Sequence, residues 1–69
     1  MKVEELQKVV EREPFLPFTF RLNNGFFHTV ATRRSVGASK DYEMIFVFPE
    51  TGGSVRIDPD SIVEIIESK

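Results

Sequence analysis

The stretch from Pro14 to Ala31, PFLPFTFRLNNGFFHTVA, constrains the fold of this chain more than any other part. It contains five of the seven phenylalanines. Apolar and polar residues alternate from Phe18 to Asn23, which is typical of a half-buried strand. Asn24-Gly25 is a strong hairpin signal, because both residue types accept positive φ. We therefore expect the hydrophobic core to form around this hairpin.

The register of the hairpin depends on the length of its loop. A two-residue loop would pair Leu22 with Phe27, whereas a three-residue loop with a glycine bulge pairs Leu22 with Phe26. We favour the longer loop, because it sets alternate residues of the second strand opposite the apolar residues of the first. The pairs that it predicts are Leu22 with Phe26, Phe20 with His28 and Phe18 with Val30.

A helix is predicted before the hairpin, over residues 2–13. Its apolar stripe comprises Val3, Leu6 and Val10, and Val9 widens it. Pro14 ends the helix, because the residue before a proline is pushed out of the α region. A helix this short is marginal alone, so we expect the stripe to dock on the sheet.

The remaining sequence predicts a polar loop and three more strands. Residues 32–41 are polar and contain a central glycine. Residues 42–48 alternate Tyr42, Met44, Phe46 and Phe48 with Glu43, Ile45 and Val47, so apolar residues on both faces predict a central strand covered on both sides. Strands are also predicted over 54–58 and 62–67, with a single 3₁₀ turn between them. The prediction is a mostly β (α+β) fold with one helix at 2–13 and five short strands within 17–67, arranged as a small antiparallel barrel.

The length and composition bound the class of protein. A chain of 69 residues is expected to form a single domain, 1–69. The absence of cysteine excludes disulfides and favours a cytoplasmic protein. No apolar run reaches the roughly 18 residues that a membrane span requires, so no membrane partner is expected.

These features together support a resemblance. The lead-in Pro14-Phe15 and Pro17-Phe18, the apolar alternation and the Gly25 turn resemble short, uncharacterised bacterial proteins that begin with a helix, a PF-x-PF segment and an acidic-Gly hairpin. This chain has Asn24-Gly25-Phe26 where those proteins commonly have Asp-Gly-Arg. The order of one helix and five strands is also similar to the Sm-like, or Src-homology-3-like, architecture. Known Sm-like proteins form rings that bind RNA, so the resemblance implies a small barrel and raises nucleic acid as a partner.

The charge is unevenly distributed along the chain. Residues 1–13 carry a net charge of −1, residues 14–40 of +4 and residues 41–69 of −5. A basic patch beside aromatic side chains is a feature of single-stranded nucleic-acid binding. The alternative to a binding function is that these cations pair with the acidic half of the same domain. The candidate nucleic-acid residues are Arg21, Arg33, Arg34, Lys40, Phe26 and His28.

A surplus of apolar side chains predicts self-association. Phe26 and Phe27 face opposite ways on a strand, so only one of them enters the core easily. The other is expected either under the helix, which we favour, or at the surface as part of an apolar patch. The strands 42–48 and 62–67 carry apolar residues on both faces, and one short helix cannot cover them all. The candidate interface residues are Phe27, Ile45, Val47, Ile62 and Ile66.

No catalytic, metal or cofactor motif is present. His28 is the only histidine, and no acid lies near it in sequence. Asp58 and Asp60 lack the spacing of a calcium loop and read as turn residues. We therefore expect no enzyme, no metal and no cofactor, and a non-enzymatic protein-interaction module that binds itself or another protein. The alternative is RNA or single-stranded nucleic-acid binding.

Overall fold

The computed structural model describes residues 2–67, which contain one helix, six short strands and two single 3₁₀ turns. The prediction of a mostly β fold with one short helix at its start is confirmed. The strands form two antiparallel sheets of three strands each, ordered β2-β1-β6 and β3-β4-β5, and the hydrogen-bonded pairs do not close into one barrel. The 3₁₀ turn Arg33–Ser35 links β2 to β3, and the turn Pro59–Ser61 links β5 to β6. The elements are α1 Val3–Val10, β1 Phe18–Leu22, β2 Phe27–Val30, β3 Val36–Ala38, β4 Ile45–Val47, β5 Val55–Ile57 and β6 Ile62–Glu67.

The hairpin has the register predicted from the three-residue loop. Phe18 pairs with Val30 and Phe20 with His28, and the Leu22 N–H donates to the Phe26 carbonyl at 2.9 Å. Gly25 has a φ of 89°, which a residue with a Cβ adopts only at a cost. The Asn24 side chain accepts a hydrogen bond from the Phe26 N–H at 3.0 Å. Glycine conformation and this side-chain bond together explain the turn.

The core lies between the helix and the inner faces of the two sheets. Alternate residues of β1 are buried, and the rings of Phe18 and Phe20 pack edge to face with centroids 5.1 Å apart. Leu6, at 0% exposure, is the most deeply buried helix residue. The core residues are Leu6, Val9, Val10, Phe18, Phe20, Leu22, Val30, Val36, Ile45, Val47, Ile57 and Ile62.

The helix is shorter than predicted. It ends at Val10 rather than residue 13, and Glu11 caps it with an N–H donated to the Gln7 carbonyl. Val3 is exposed, so the docked stripe comprises Leu6, Val9 and Val10. The last part of the predicted helix leads instead toward Pro14, whose ring restricts the residue before it.

The predicted loop over residues 32–41 contains a sixth strand, which corrects the count of five. The Thr32 hydroxyl and Ser35 hydroxyl lie 2.8 Å apart across the first 3₁₀ turn, and β3 follows at Val36. The Val36 side chain is buried. A three-residue strand containing Gly37 has too short an apolar pattern to stand out from a loop in sequence. The 3₁₀ turn predicted between the last two strands is confirmed, with Asp58 accepting from the Asp60 N–H.

The strand predicted over 42–48 is limited to Ile45–Val47, because a turn precedes it. The Ser39 hydroxyl accepts from the Met44 N–H at 3.0 Å, and the Asp41 carboxylate accepts from the Glu43 N–H at 3.2 Å. That second bond is the main reason that the pKa of Asp41 is lowered. Tyr42 lies within the turn at a φ of 60°. Local side-chain bonds to the backbone thus compete successfully with strand pairing here.

Three residues assigned to an exposed interface belong to the core instead. Ile45 is fully buried, and Val47 and Ile62 are nearly so. In β4 the inner face is Ile45 and Val47, whereas Phe46 is half-buried and Phe48, just after the strand, is exposed. In β6 a register shift opposite Arg21 and Leu22 changes which residues face inward. The chain therefore covers more of its apolar residues than the alternation alone indicated.

The contact between the end of the helix and this turn can be measured through the pKa of Tyr42. Its hydroxyl donates to the Glu11 carboxylate, and burial first, then the bond to Glu11 and its charge, raise the pKa of Tyr42 to about 12. The stability that this contact contributes is complete below the unfolded tyrosine pKa of about 10 and is lost as the pH rises toward 12.

Spectrophotometric titration can test this directly, because Tyr42 is the only tyrosine and tryptophan is absent. We expect the tyrosinate absorbance to appear with a midpoint near 12. Glu11→Gln should move the midpoint downward, since it removes the neighbouring negative charge. A wild-type midpoint at the ordinary tyrosine value would contradict the contact.

Candidate interaction surface

The outer face of the β2-β1-β6 sheet points away from the core and is formed by three paired strands. Two cross-strand rows form it. The first row runs from Phe27 through Arg21 to Glu64, and the second from Thr29 through Thr19 to Ile66. We call these six residues the outer face: Thr19, Arg21, Phe27, Thr29, Glu64 and Ile66.

The polar members of the outer face satisfy one another. The Arg21 Nε donates to Glu64 Oε1 at 2.8 Å, and the Thr19 and Thr29 hydroxyls lie 3.0 Å apart. Phe27 and Ile66 have no such partners and are 58% and 42% exposed. The outer face therefore combines a neutral polar centre with two uncovered apolar side chains at its opposite edges.

Phe26 and Phe27 are both exposed, at 65% and 58%. The expectation that one of them enters the core is wrong, and of the two alternatives for the other, under the helix or exposed, the exposed one is observed. The helix stripe docks on the core through Leu6, Val9 and Val10, while Phe26 lies in the hairpin loop beyond the last residue of β1. Two adjacent exposed phenylalanines at the end of a hairpin have the character of a contact site.

Much of the predicted basic patch is neutralised within the chain. Arg21 pairs with Glu64, and Arg33 pairs with Glu13 at 2.8 Å. The Arg33 guanidinium also donates to the Arg12 carbonyl and lies 5.6 Å from the Phe15 ring centroid. Both arginines thus connect elements of the same chain. This agrees with the alternative interpretation of the charge pattern, in which the cations pair with acidic residues of the same domain.

The other predicted nucleic-acid residues lie on different elements of the fold. Arg34 and Lys40 are exposed, and neither forms an ion pair within residues 2–67. His28 lies in β2 opposite Phe20 and is half-buried. Its imidazole makes no hydrogen bond with another side chain in the part of the chain described.

The protein surface also contains two open clefts. One, of about 300 Å³, lies between the helix and β6 and is bordered by Lys8, Arg12 and Ile65. The other, of about 370 Å³, lies beside Tyr42 and carries four acidic residues, Asp41, Glu43, Asp58 and Asp60. Across residues 2–67, no group of three or more His, Asp or Glu side chains has the geometry to hold a metal ion. None of the helical segments in this part of the chain has the length and hydrophobicity of a membrane span.

The chain was also compared with known proteins. No family model, curated protein or solved structure matched it. The resemblances to the short bacterial proteins and to the Sm-like architecture therefore stay predictions. A function can be proposed only from the surface described above.

The sequence indicated part of this surface and missed part of it. It singled out Phe27, Ile66 and Arg21, but not Thr19, Thr29 and Glu64, which complete the two rows. The alternation within Phe18–Leu22 does place Thr19 and Arg21 outward. The partners on β6 were out of reach, because strand pairing between residues more than forty positions apart leaves no local signal.

Proposed function

We propose that this protein is a non-enzymatic interaction module that self-associates through its hairpin. The observation that carries the proposal is the pair Phe26 and Phe27, which leave more than half of their surface uncovered. Large aromatic side chains dominate interface energetics and are costly to leave in water. The neutral centre of the outer face, where Arg21 meets Glu64, supports the same proposal because it brings no net charge to a contact.

A barrel-like, Sm-like architecture is part of this proposal. The 3₁₀ turns carry β2 into β3 and β5 into β6, so the chain passes from one sheet to the other at two points. These two connections support a small barrel bent at two corners. Nuclear Overhauser contacts between the backbones of β5 and β6 would be expected in such a barrel, and their absence would count against it.

Self-association predicts a mass that depends on concentration. We expect sedimentation velocity from 1 micromolar to about 500 micromolar to show a shift from monomer to oligomer, in the range of weak interfaces. Phe27→Ser should raise the dissociation constant at least tenfold, about 1.4 kcal/mol, because it removes the exposed ring.

Phe48→Ser is the matched control. Phe48 is also an exposed phenylalanine, but it follows β4, on the other sheet, and its ring lies over Gly37. We expect this variant to associate as the unaltered protein does. A monomer mass at every concentration would overturn the proposal, as would equal weakening by both variants.

The second candidate function is binding of single-stranded nucleic acid. Arg34 and Lys40 favour it, because they are exposed and unpaired within residues 2–67 and two exposed aromatics are available for stacking. Fluorescence anisotropy with short single-stranded RNA should then show affinity that falls with salt, with a log–log slope of roughly −0.7 per phosphate. Arg34→Glu with Lys40→Glu should abolish it. No binding at low salt would exclude this candidate.

A further inference from the structure

The four edge strands of the two sheets differ in how they discourage pairing with another chain. Natural edge strands carry charges, prolines or bulges, or are very short, and a glycine inside a strand weakens it. Strand β6 carries Glu64 and Glu67 and a register shift, and β5 has three residues with Arg56 at its centre. Strand β3 is also three residues long and contains Gly37. Strand β2, Phe27-His28-Thr29-Val30, has no charged residue, glycine, proline or bulge.

The free backbone groups of β2 follow from its pairing with β1. The Leu22 N–H donates to the Phe26 carbonyl, so the alternation of an antiparallel ladder directs the backbone of Phe26, His28 and Val30 toward β1. The N–H and carbonyl groups of Phe27 and Thr29 then point away from the sheet. No backbone hydrogen bond from another element reaches them within residues 2–67.

We propose that the occupant of this edge is the β2 strand of a second copy, paired antiparallel about a two-fold axis at His28. The inference rests on the proposed self-association and specifies its geometry. Phe27 of each copy then lies opposite Thr29 of the other, and four new hydrogen bonds join the two sheets into one of six strands. The two His28 residues face each other as the non-hydrogen-bonded pair at the axis.

Charge and cross-strand pairing favour a second copy as the occupant. Strand β2 carries no formal charge, with His28 neutral, so two copies meet without opposing like charges. Pairs of Phe27 with Thr29 are aromatic with β-branched, a favourable combination.

The exposed area is consistent with a weak dimer. Phe26 and Phe27 leave about 60% of their surface uncovered, and a large aromatic buries roughly 150–250 Å². The two rings together would bury at most about 180–300 Å² per copy, below the roughly 800 Å² per partner of a standard interface. We therefore expect a dimer that dissociates in the micromolar range.

Cysteine cross-linking tests the axis, because the chain has no native cysteine. In a non-hydrogen-bonded pair the Cα atoms lie about 4.5 Å apart, within reach of a disulfide. We expect His28→Cys to form a covalent dimer under mild oxidation at least tenfold faster than Thr29→Cys or Thr19→Cys. In the proposed register, two Thr29 residues lie beyond the roughly 7 Å limit for a disulfide. Faster cross-linking of Thr29→Cys would overturn the axis at His28.

A proline substitution tests the edge by another route. Thr29→Pro removes an N–H that faces outward, whereas His28→Pro removes one that bonds to β1. We expect Thr29→Pro to raise the dissociation constant at least tenfold while its far-ultraviolet spectrum stays native. If the dimer persists in Thr29→Pro and His28→Cys gives no cross-link, the proposed pairing of β2 edges is wrong, whereas self-association itself is not contradicted. A monomer at all concentrations would overturn both.

Discussion

Replacing Phe20 with alanine is expected to lower the free energy of unfolding by about 3–5 kcal/mol. Phe20 has no exposed surface and packs against Phe18 at the centre of the sheet, between His28 and Ile65. A 69-residue chain has a total stability of about 3–10 kcal/mol. Urea unfolding followed by circular dichroism should therefore show a variant that is largely unfolded or only weakly stable.

Phe26→Ala is the matched control, since it makes the same substitution six residues along the hairpin. Phe26 is 65% exposed, and its backbone bond to Leu22 does not depend on the side chain. We expect a change within about 0.5 kcal/mol. Equal losses from the two variants would contradict the assignment of Phe20 to the core and Phe26 to the surface.

The hairpin could be predicted because its signals are local. Alternation over Phe18–Leu22 identifies the inner face, and Asn24-Gly25 identifies the turn. Packing the apolar residues of both strands on one side then selects one register. Each inference needs only residues close in sequence, and the observed pairs Phe18–Val30 and Phe20–His28 agree with it.

The ion pairs that neutralise the basic segment could not be assigned in the same way. Arg21 and Glu64 are partners because β1 and β6 lie side by side, and Arg33 reaches Glu13 across the turn after β2. The sequence showed opposite charges in two parts of the chain and left open whether they meet. The structure therefore favours the aromatic end of the hairpin, rather than a basic patch, as the candidate interaction surface.

The side-chain orientation of β4 is the feature for which the sequence prediction differs most from the structure, because apolar residues occupy both faces of this strand. Alternation alone cannot tell whether Ile45 and Val47 or Met44, Phe46 and Phe48 point inward. The shorter set is buried: Ile45 pairs with Ala38 and Ile57 inside the second sheet. Phe46 lies between Gly37 and Arg56 and stays half-buried on the outer side.

Ile45→Asp is expected to prevent folding, and it tests this orientation. Losing the buried isoleucine contacts costs about 2–5 kcal/mol, and an unpaired carboxylate in the core adds several more. That total matches or exceeds the stability available to a chain of this length. Circular dichroism and size-exclusion chromatography at neutral pH should show an expanded, unfolded chain.

Phe46→Asp, one residue along the same strand, is the control. Its side chain would point outward beside Arg56, a cross-strand neighbour of opposite charge, so we expect a folded protein with reduced stability. The two outcomes would be exchanged if β4 faced the other way, with Phe46 inward and Ile45 at the surface. Because both variants introduce the same carboxylate into the same strand, only the direction of the side chain separates them.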